Sequence, residues 1–171
     1  LAETNAHGGR SGAQEQTART FGYKWAQPAS HDSAAVQSAT KEWLFERYCD
    51  GDPEKLEYWL AGGRKIILDT GCGCGSSTLV FWGDHLKAHD YLGVEISDAG
   101  GIARKRFAEA GYPGDFLQCD LMDLPIDDES VDIVYSEGVL HHTDSTEDAL
   151  HYLARKLKSG GRFLFYVYAK K

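Results

Sequence analysis

The spacing of apolar positions changes several times along the chain. Residues 1–20 are polar, rich in Gly, Ser, Gln and Thr, and carry no periodicity. A stretch of that kind has little to bury and reads as a mobile arm. At 21–25, Phe21, Tyr23 and Trp25 alternate with Gly22 and Lys24. Such an aromatic patch must pack on something. It either covers an apolar face of the domain or forms a lid over a ligand. From about Ala34 to Tyr48 the pattern predicts a helix that buries Val36, Trp43, Leu44 and Tyr48. Cys49-Asp50-Gly51-Asp52-Pro53 breaks it, and Pro53 suits the first turn of the next helix. That helix carries Leu56, Trp59 and Leu60 and ends at Gly62-Gly63.

From Arg64 onward short apolar runs alternate with amphipathic stretches. Strands are predicted at Lys65–Asp69, Tyr91–Glu95, Asp115–Gln118, Val131–Ser136 and Arg162–Tyr168, and helices at about Ser76–Ala88, Asp98–Ala110 and Thr146–Leu157. The last helix places Ala149, Leu150, Leu153, Ala154 and Leu157 on one face. Ser145 with Asp148 resembles a capping box at its start, and Gly160-Gly161 is expected to end it. Strands that alternate with helices predict an α/β fold, a doubly wound and mostly parallel sheet with helices on both faces. Ligands bind such sheets at the carboxyl ends of the strands. The chain divides into the arm 1–20, the aromatic segment and helices 21–63, and the α/β core 64–171.

Length and composition narrow the class. The 171 residues suit one domain, and 42% hydrophobic content suffices for a core. A formal net charge of −8 argues against nucleic acid as a partner. No apolar run approaches a membrane span, and no signal core opens the chain. Cys49, Cys72, Cys74 and Cys119 form no C-x-x-C pair, so neither a zinc site nor a disulfide framework is expected. Reduced thiols make the cytoplasm the expected location. The chain opens on Leu1, has one methionine, Met122, and stops just after an apolar strand. It is expected to be a piece of a longer protein. The Arg162–Tyr168 strand is apolar on both faces and would otherwise leave an exposed sheet edge.

The chemistry begins at the first strand. Asp69 ends it, and Gly71, Gly73 and Gly75 follow at alternate positions before a helix near Ser76. Glycine permits the tight turn and close backbone approach to a ligand, and a helix N-terminus offers free N–H groups. A dinucleotide fingerprint needs G-x-G-x-x-G, whereas here the third glycine comes one residue early, and no P-loop motif is present. A purely structural strand–helix turn stays open as an alternative. Glu95 ends the second strand twenty positions after Gly75, where an acid accepts hydrogen bonds from ribose hydroxyls. Asp120 follows the third strand, where a carboxylate can accept the adenine amine, with Ile96, Leu121 and Met122 able to sandwich the base. The plain alternative is that Asp120 caps a turn.

These runs together resemble the class I S-adenosylmethionine-dependent methyltransferases. The resemblance covers roughly Arg64 to Lys171. It rests on the run Ile66–Gly75, YLGVEIS (91–97), FLQCDLMDLP (116–125), VDIVYSEGVLHH (131–142) and LARKLKSGGRFLF (153–165). It implies a Rossmann-like sheet ordered 3-2-1-4-5-7-6, so the last two strands are missing here. It implies that Asp69, Gly71, Cys72, Gly73 and Gly75 hold the methionine part of S-adenosylmethionine. Glu95 then holds the ribose, Ile96, Asp120 and Leu121 the adenine, and Ser136 faces the methionine end. The step before the fifth strand reads Ser159-Gly160-Gly161, where the family usually has Pro-Gly-Gly.

The acceptor is legible only by elimination. After the fourth strand stands Ser136-Glu137-Gly138-Val139, unlike the Asn/Asp-Pro-Pro-aromatic motif of DNA amino-methyltransferases. The Pro-Cys nucleophile of cytosine C5 enzymes and the Gly-rich loop of polyamine synthases are also absent. A small-molecule acceptor is favoured, with oxygen, carbon or nitrogen as the acceptor atom. No catalytic residue is assigned. His141 or His142 could deprotonate a hydroxyl, or both could simply pack. Tyr23 or Trp25 could cover the sulfonium. The alternatives are a catalytically silent S-adenosylmethionine-binding domain and an NAD-linked oxidoreductase.

Overall fold

The computed structural model describes residues 11–25 and 33–168. Five strands form one parallel sheet: β1 Ile66–Thr70, β2 Asp90–Glu95, β3 Asp115–Gln118, β4 Val131–Glu137 and β5 Leu157–Tyr166. Their order is β3-β2-β1-β4-β5. β1 lies at the centre, with Leu68 beside Leu92 on one side and Val134 on the other. This is the expected doubly wound α/β arrangement, and the first four strands fall within a residue or so of their predicted places.

Alternation along the strands sends neighbours to opposite faces, so each face has its own core. Ile67, Ile133, Tyr135 and Leu164 face the helices α2 Ala34–Cys49, α3 Pro53–Leu60, α4 Ser76–Trp82 and α5 Ala99–Ala110, where Leu44, Leu56, Phe81, Trp82 and Phe107 are buried. Leu68, Val94 and Val134 face the other way, against Leu121, Leu124 and Leu140 and against Ala149 and Leu153 of α6 Thr146–Lys156. Side-chain caps start several helices, among them these: the Ser33 hydroxyl accepts from Val36 N–H, Asp52 from Glu54 N–H ahead of Pro53, and Ser145 from Asp148 N–H.

Three features depart from expectation. Residues 12–20, predicted within the arm, belong to a helix, α1 Gly12–Trp25. Its one buried residue is Gln14, whose amide donates to the His142 carbonyl at 3.1 Å. A helix held through a polar contact has no apolar stripe to read. Residues 1–10 of the predicted arm lie outside the described residues. Within α2, Leu44 is buried as expected, but Val36 and Trp43 are 41% and 44% exposed. Both line the cavity described below, which explains apolar side chains left open. Finally, Gly160-Gly161 does not end α6. That helix stops at Lys156, and the chain passes directly into β5. The glycines sit in an irregularity of β5, where Leu157 pairs with Val131 and Arg162 already with Ile133.

Candidate functional site

One cavity of about 560 Å³ opens at the carboxyl ends of the strands. That size suits a small ligand. β1 delivers Asp69, the following loop Gly71, Cys72 and Cys74, β2 Glu95, and the stretch after β3 Cys119, Asp120 and Leu121. β4 delivers Tyr135 and Glu137, and α1 roofs it with Phe21, Lys24 and Trp25.

The loop after β1 is shaped by two glycines where any side chain would be strained. Gly71 has φ +74°, and a Cβ there would lie 2.4 Å from Val139 Cγ2. Gly73 has φ +54°, and a Cβ there would lie 2.8 Å from the Trp25 ring. Positive φ makes any side chain strained there, and contact at that range forces a neighbour to move. Much of the loop's donor capacity goes to β2. Gly71 and Cys72 N–H donate to the Val94 carbonyl at 2.7 and 3.0 Å, and Gly73 N–H donates to Glu95 Oε2 at 3.0 Å.

Glu95 is 4% exposed, yet it borders the cavity. Its Oε1 accepts from Ser97 N–H at 3.0 Å and Ser97 Oγ at 2.7 Å. A carboxylate offers about four acceptor positions. Three are filled, so one is left for a ligand hydroxyl unless Ser97 turns away.

Asp69 is fully enclosed by its neighbours. Thr78 Oγ1 donates to its Oδ2, and so does Tyr91 OH at 2.8 Å. Burial nevertheless pushes its carboxyl up to about 7, against those two hydrogen bonds, with the charges of Glu95 and Glu137 adding to the rise. Asp120 takes the turn-capping role and also stands at the cavity. Its Oδ1 accepts from Met122 N–H at 2.9 Å, which closes a turn, and the residue also lines the cavity beside Ile96 and Leu121.

The wall therefore gathers Asp69, Gly71, Cys72, Glu95, Ile96, Asp120 and Leu121 from the sequence-derived set. Gly73 and Gly75 support it from behind; Gly75 packs against Ala103 and Phe107. Ser136 is fully buried, while its neighbours Tyr135 and Glu137 line the cavity. Met122 is 38% exposed and does not reach the wall, and Tyr23 points outward at 74% exposure.

His142 reaches the wall and meets the Phe21 ring at 4.8 Å. His141 does not; it packs on His142 at 4.0 Å and Tyr168 at 4.5 Å, and among the described residues neither ring nitrogen has a partner. Burial lowers both imidazoles below the usual value, with the charges of His141 and Lys24 adding to the effect at His142. Among the described residues no group of three or more His, Cys, Asp or Glu could hold a metal.

Sequence reasoning missed one pair. Tyr48 OH donates to Glu137 Oε2. Burial raises the Glu137 carboxyl, while Tyr48 and Arg47 pull it back. The partners stand 89 positions apart, so only the fold brings them together.

A parallel sheet with a glycine turn, an acid at the end of β2 and an acid after β3 defines a nucleoside-binding α/β domain. A family model described as "Methyltransferase domain" matches residues 68–165. A probable tRNA methyltransferase 9B of Homo sapiens is 36% identical over 107 residues, 61% of this chain and 21% of that protein. The ubiquinone/menaquinone biosynthesis C-methyltransferase UbiE of Azotobacter vinelandii is 32% identical over 116 residues, 65% of this chain and 46% of that one. The crystal structure of the YcgJ protein of Bacillus subtilis superposes with a TM-score of 0.54 at 29% identity, covering 65% of this chain and 48% of that one. The chain belongs to the class I S-adenosylmethionine-dependent methyltransferase family. It spans less than half the length of these two curated relatives. Among the described residues no helix is long and apolar enough to cross a membrane.

Proposed function

We propose that this chain holds S-adenosylmethionine in the cavity and supports methyl transfer to a small-molecule acceptor. One observation carries the reading: a single cavity is bordered in turn by the glycine loop, by Glu95 and by Asp120. Those are the places where an amino-acid tail, a ribose and an adenine call for different partners. Asp69 and the loop Gly71–Gly75 hold the methionine part, through the negative charge that Asp69 acquires near neutral pH. Glu95 accepts from a ribose hydroxyl at its open position. Asp120 accepts from the adenine amine, with Ile96 and Leu121 against the ring. The sulfonium supplies an already activated methyl group, so what the chain must do is align the acceptor and exclude water. α1 serves the second task by laying Phe21 and Trp25 over the opening.

The relatives act on different acceptors by name, one on tRNA and one in quinone biosynthesis. Acidic groups around this cavity favour the small-molecule class. Asp69, Glu95, Asp120 and Glu137 all border it, and the chain carries a net charge of −8. A phosphate backbone would meet repulsion there. The test is label transfer from S-[methyl-³H]adenosylmethionine, with a small-molecule extract and with bulk tRNA offered in parallel. Label in the extract supports the reading. Label in tRNA alone, or tight cofactor binding with no transfer to either, contradicts it.

A further inference from the structure

The wall of the cavity built by α2, β4 and β5 is unlike the donor side. It is aromatic: Trp43 meets Tyr166 edge-on at 5.8 Å, and Tyr166 meets Tyr168 at 5.2 Å. Trp43 and Tyr168 are 44% and 62% exposed, open faces on which a flat ring can lie. The Arg47 guanidinium stacks on Trp43 and Tyr166, 3.8 and 3.5 Å from their centroids, and fixes both rings. Set in this wall is one carboxylate, Glu137, half-buried, with Tyr48 OH donating to it. One oxygen of Glu137 thus stays open toward the cavity.

The groups around Glu137 are few. Tyr48 and Arg47 act on it from α2, and it acts in turn on Asp69 of β1 and on Tyr135 of β4. Tyr166 of β5 lies beside it in register, and Lys24 and His142 border the same cavity. A carboxylate so placed selects its substrate. An amine would pair with it as an ammonium, which has no lone pair for attack. A simple alcohol is too weak an acid for it. A phenol or enol matches.

Building on the methyl-transfer reading, we infer that this wall is the acceptor site, that it takes a flat aromatic compound with an ionisable hydroxyl, and that Glu137, positioned by Tyr48, receives that hydroxyl's proton. The O–H bond breaks toward Glu137. The acceptor's electron pair forms the new bond to the methyl carbon, at oxygen or at the activated ring carbon. The pair of the broken carbon–sulfur bond stays on sulfur. After transfer at carbon, the ring proton leaves to water and Glu137 returns its proton to the oxygen, which restores the aromatic hydroxyl.

The test uses 7-hydroxycoumarin, whose phenol and phenolate have distinct spectra, titrated into the full chain saturated with S-adenosylhomocysteine. Wild type binds the phenol about tenfold or more tighter than the phenolate, because ionised Glu137 accepts from the first and repels the second. Glu137→Gln loses this preference. Tyr48→Phe keeps the preference, but it sets in at higher pH, since the hydrogen bond that lowers the Glu137 carboxyl is gone. Absence of 7-hydroxycoumarin binding in wild type overturns the acceptor class. An unchanged preference in Glu137→Gln overturns the role of Glu137, and an unchanged onset in Tyr48→Phe that of Tyr48. Failure to bind S-adenosylmethionine or its product would instead strike the methyl-transfer reading itself.

Discussion

Gly73 N–H donates to Glu95 Oε2 at 3.0 Å, tying the glycine loop to the end of β2. Two signals twenty-two positions apart in the chain are thereby one unit, and the loop's shape depends on the same carboxylate that borders the cavity.

Glu95→Ala therefore does two things at once. It removes a candidate ribose partner and strands the N–H groups of Gly73 and Ser97. Calorimetry with S-adenosylmethionine is expected to show affinity falling by about tenfold or more, and denaturant unfolding a loss of roughly 1–3 kcal/mol. Unchanged affinity would remove Glu95 from the ribose site.

Gly73→Ala tests the loop from its other side. The new Cβ would stand 2.8 Å from the Trp25 ring at a φ of +54°. Strain and collision together should cost about 1–3 kcal/mol. Adding Trp25→Ala relieves the collision and leaves the strain. A double-mutant cycle in urea should thus give a smaller Gly73→Ala penalty in the Trp25→Ala background. Equal penalties in both backgrounds would mean that α1 does not rest on the loop.

Asp69 makes stability depend on pH. Its folded-state carboxyl is raised by burial to about 7, far above the ordinary 3.8. A carboxyl raised in the folded state binds its proton more tightly there than in the unfolded chain. Its contribution is full below pH ~4 and is lost as pH climbs to about 7. Without ligand, wild type should lose about 2–4 kcal/mol more than Asp69→Asn over that window, read from urea midpoints. A difference that ran the other way would show the carboxylate to be stabilised in place. A cationic ligand beside Asp69 favours the ionised form, so its binding at pH 6 should release a proton, measurable from calorimetry in buffers of different ionisation enthalpy.

Much of this molecule was legible along the chain. Ile66–Thr70 and Val131–Glu137 are buried nearly throughout, and the short apolar runs 66–68 and 133–135 within them suit central parallel strands. The glycine loop, Glu95 and Asp120 stood out because each follows such a strand. What escaped depends on contacts without periodicity. α1 is anchored by Gln14 on the His142 carbonyl and by an aromatic end, so its sequence resembles an arm. Gly160 and Gly161 looked like a helix end, yet they accommodate a break in strand register. Ser136 seemed a wall residue, but strand alternation turns it inward and gives the wall to Tyr135 and Glu137. Tyr48 and Glu137 meet across two elements, and nothing in either segment announces the other.

The central claim is that the cavity accepts an adenosyl methyl donor, and calorimetry of the full chain tests it directly. S-adenosylmethionine and NADH are titrated separately under the same conditions. S-adenosylmethionine should bind with one-to-one stoichiometry, and NADH should give no heat beyond dilution. Saturable NADH binding with no response to S-adenosylmethionine would contradict the account.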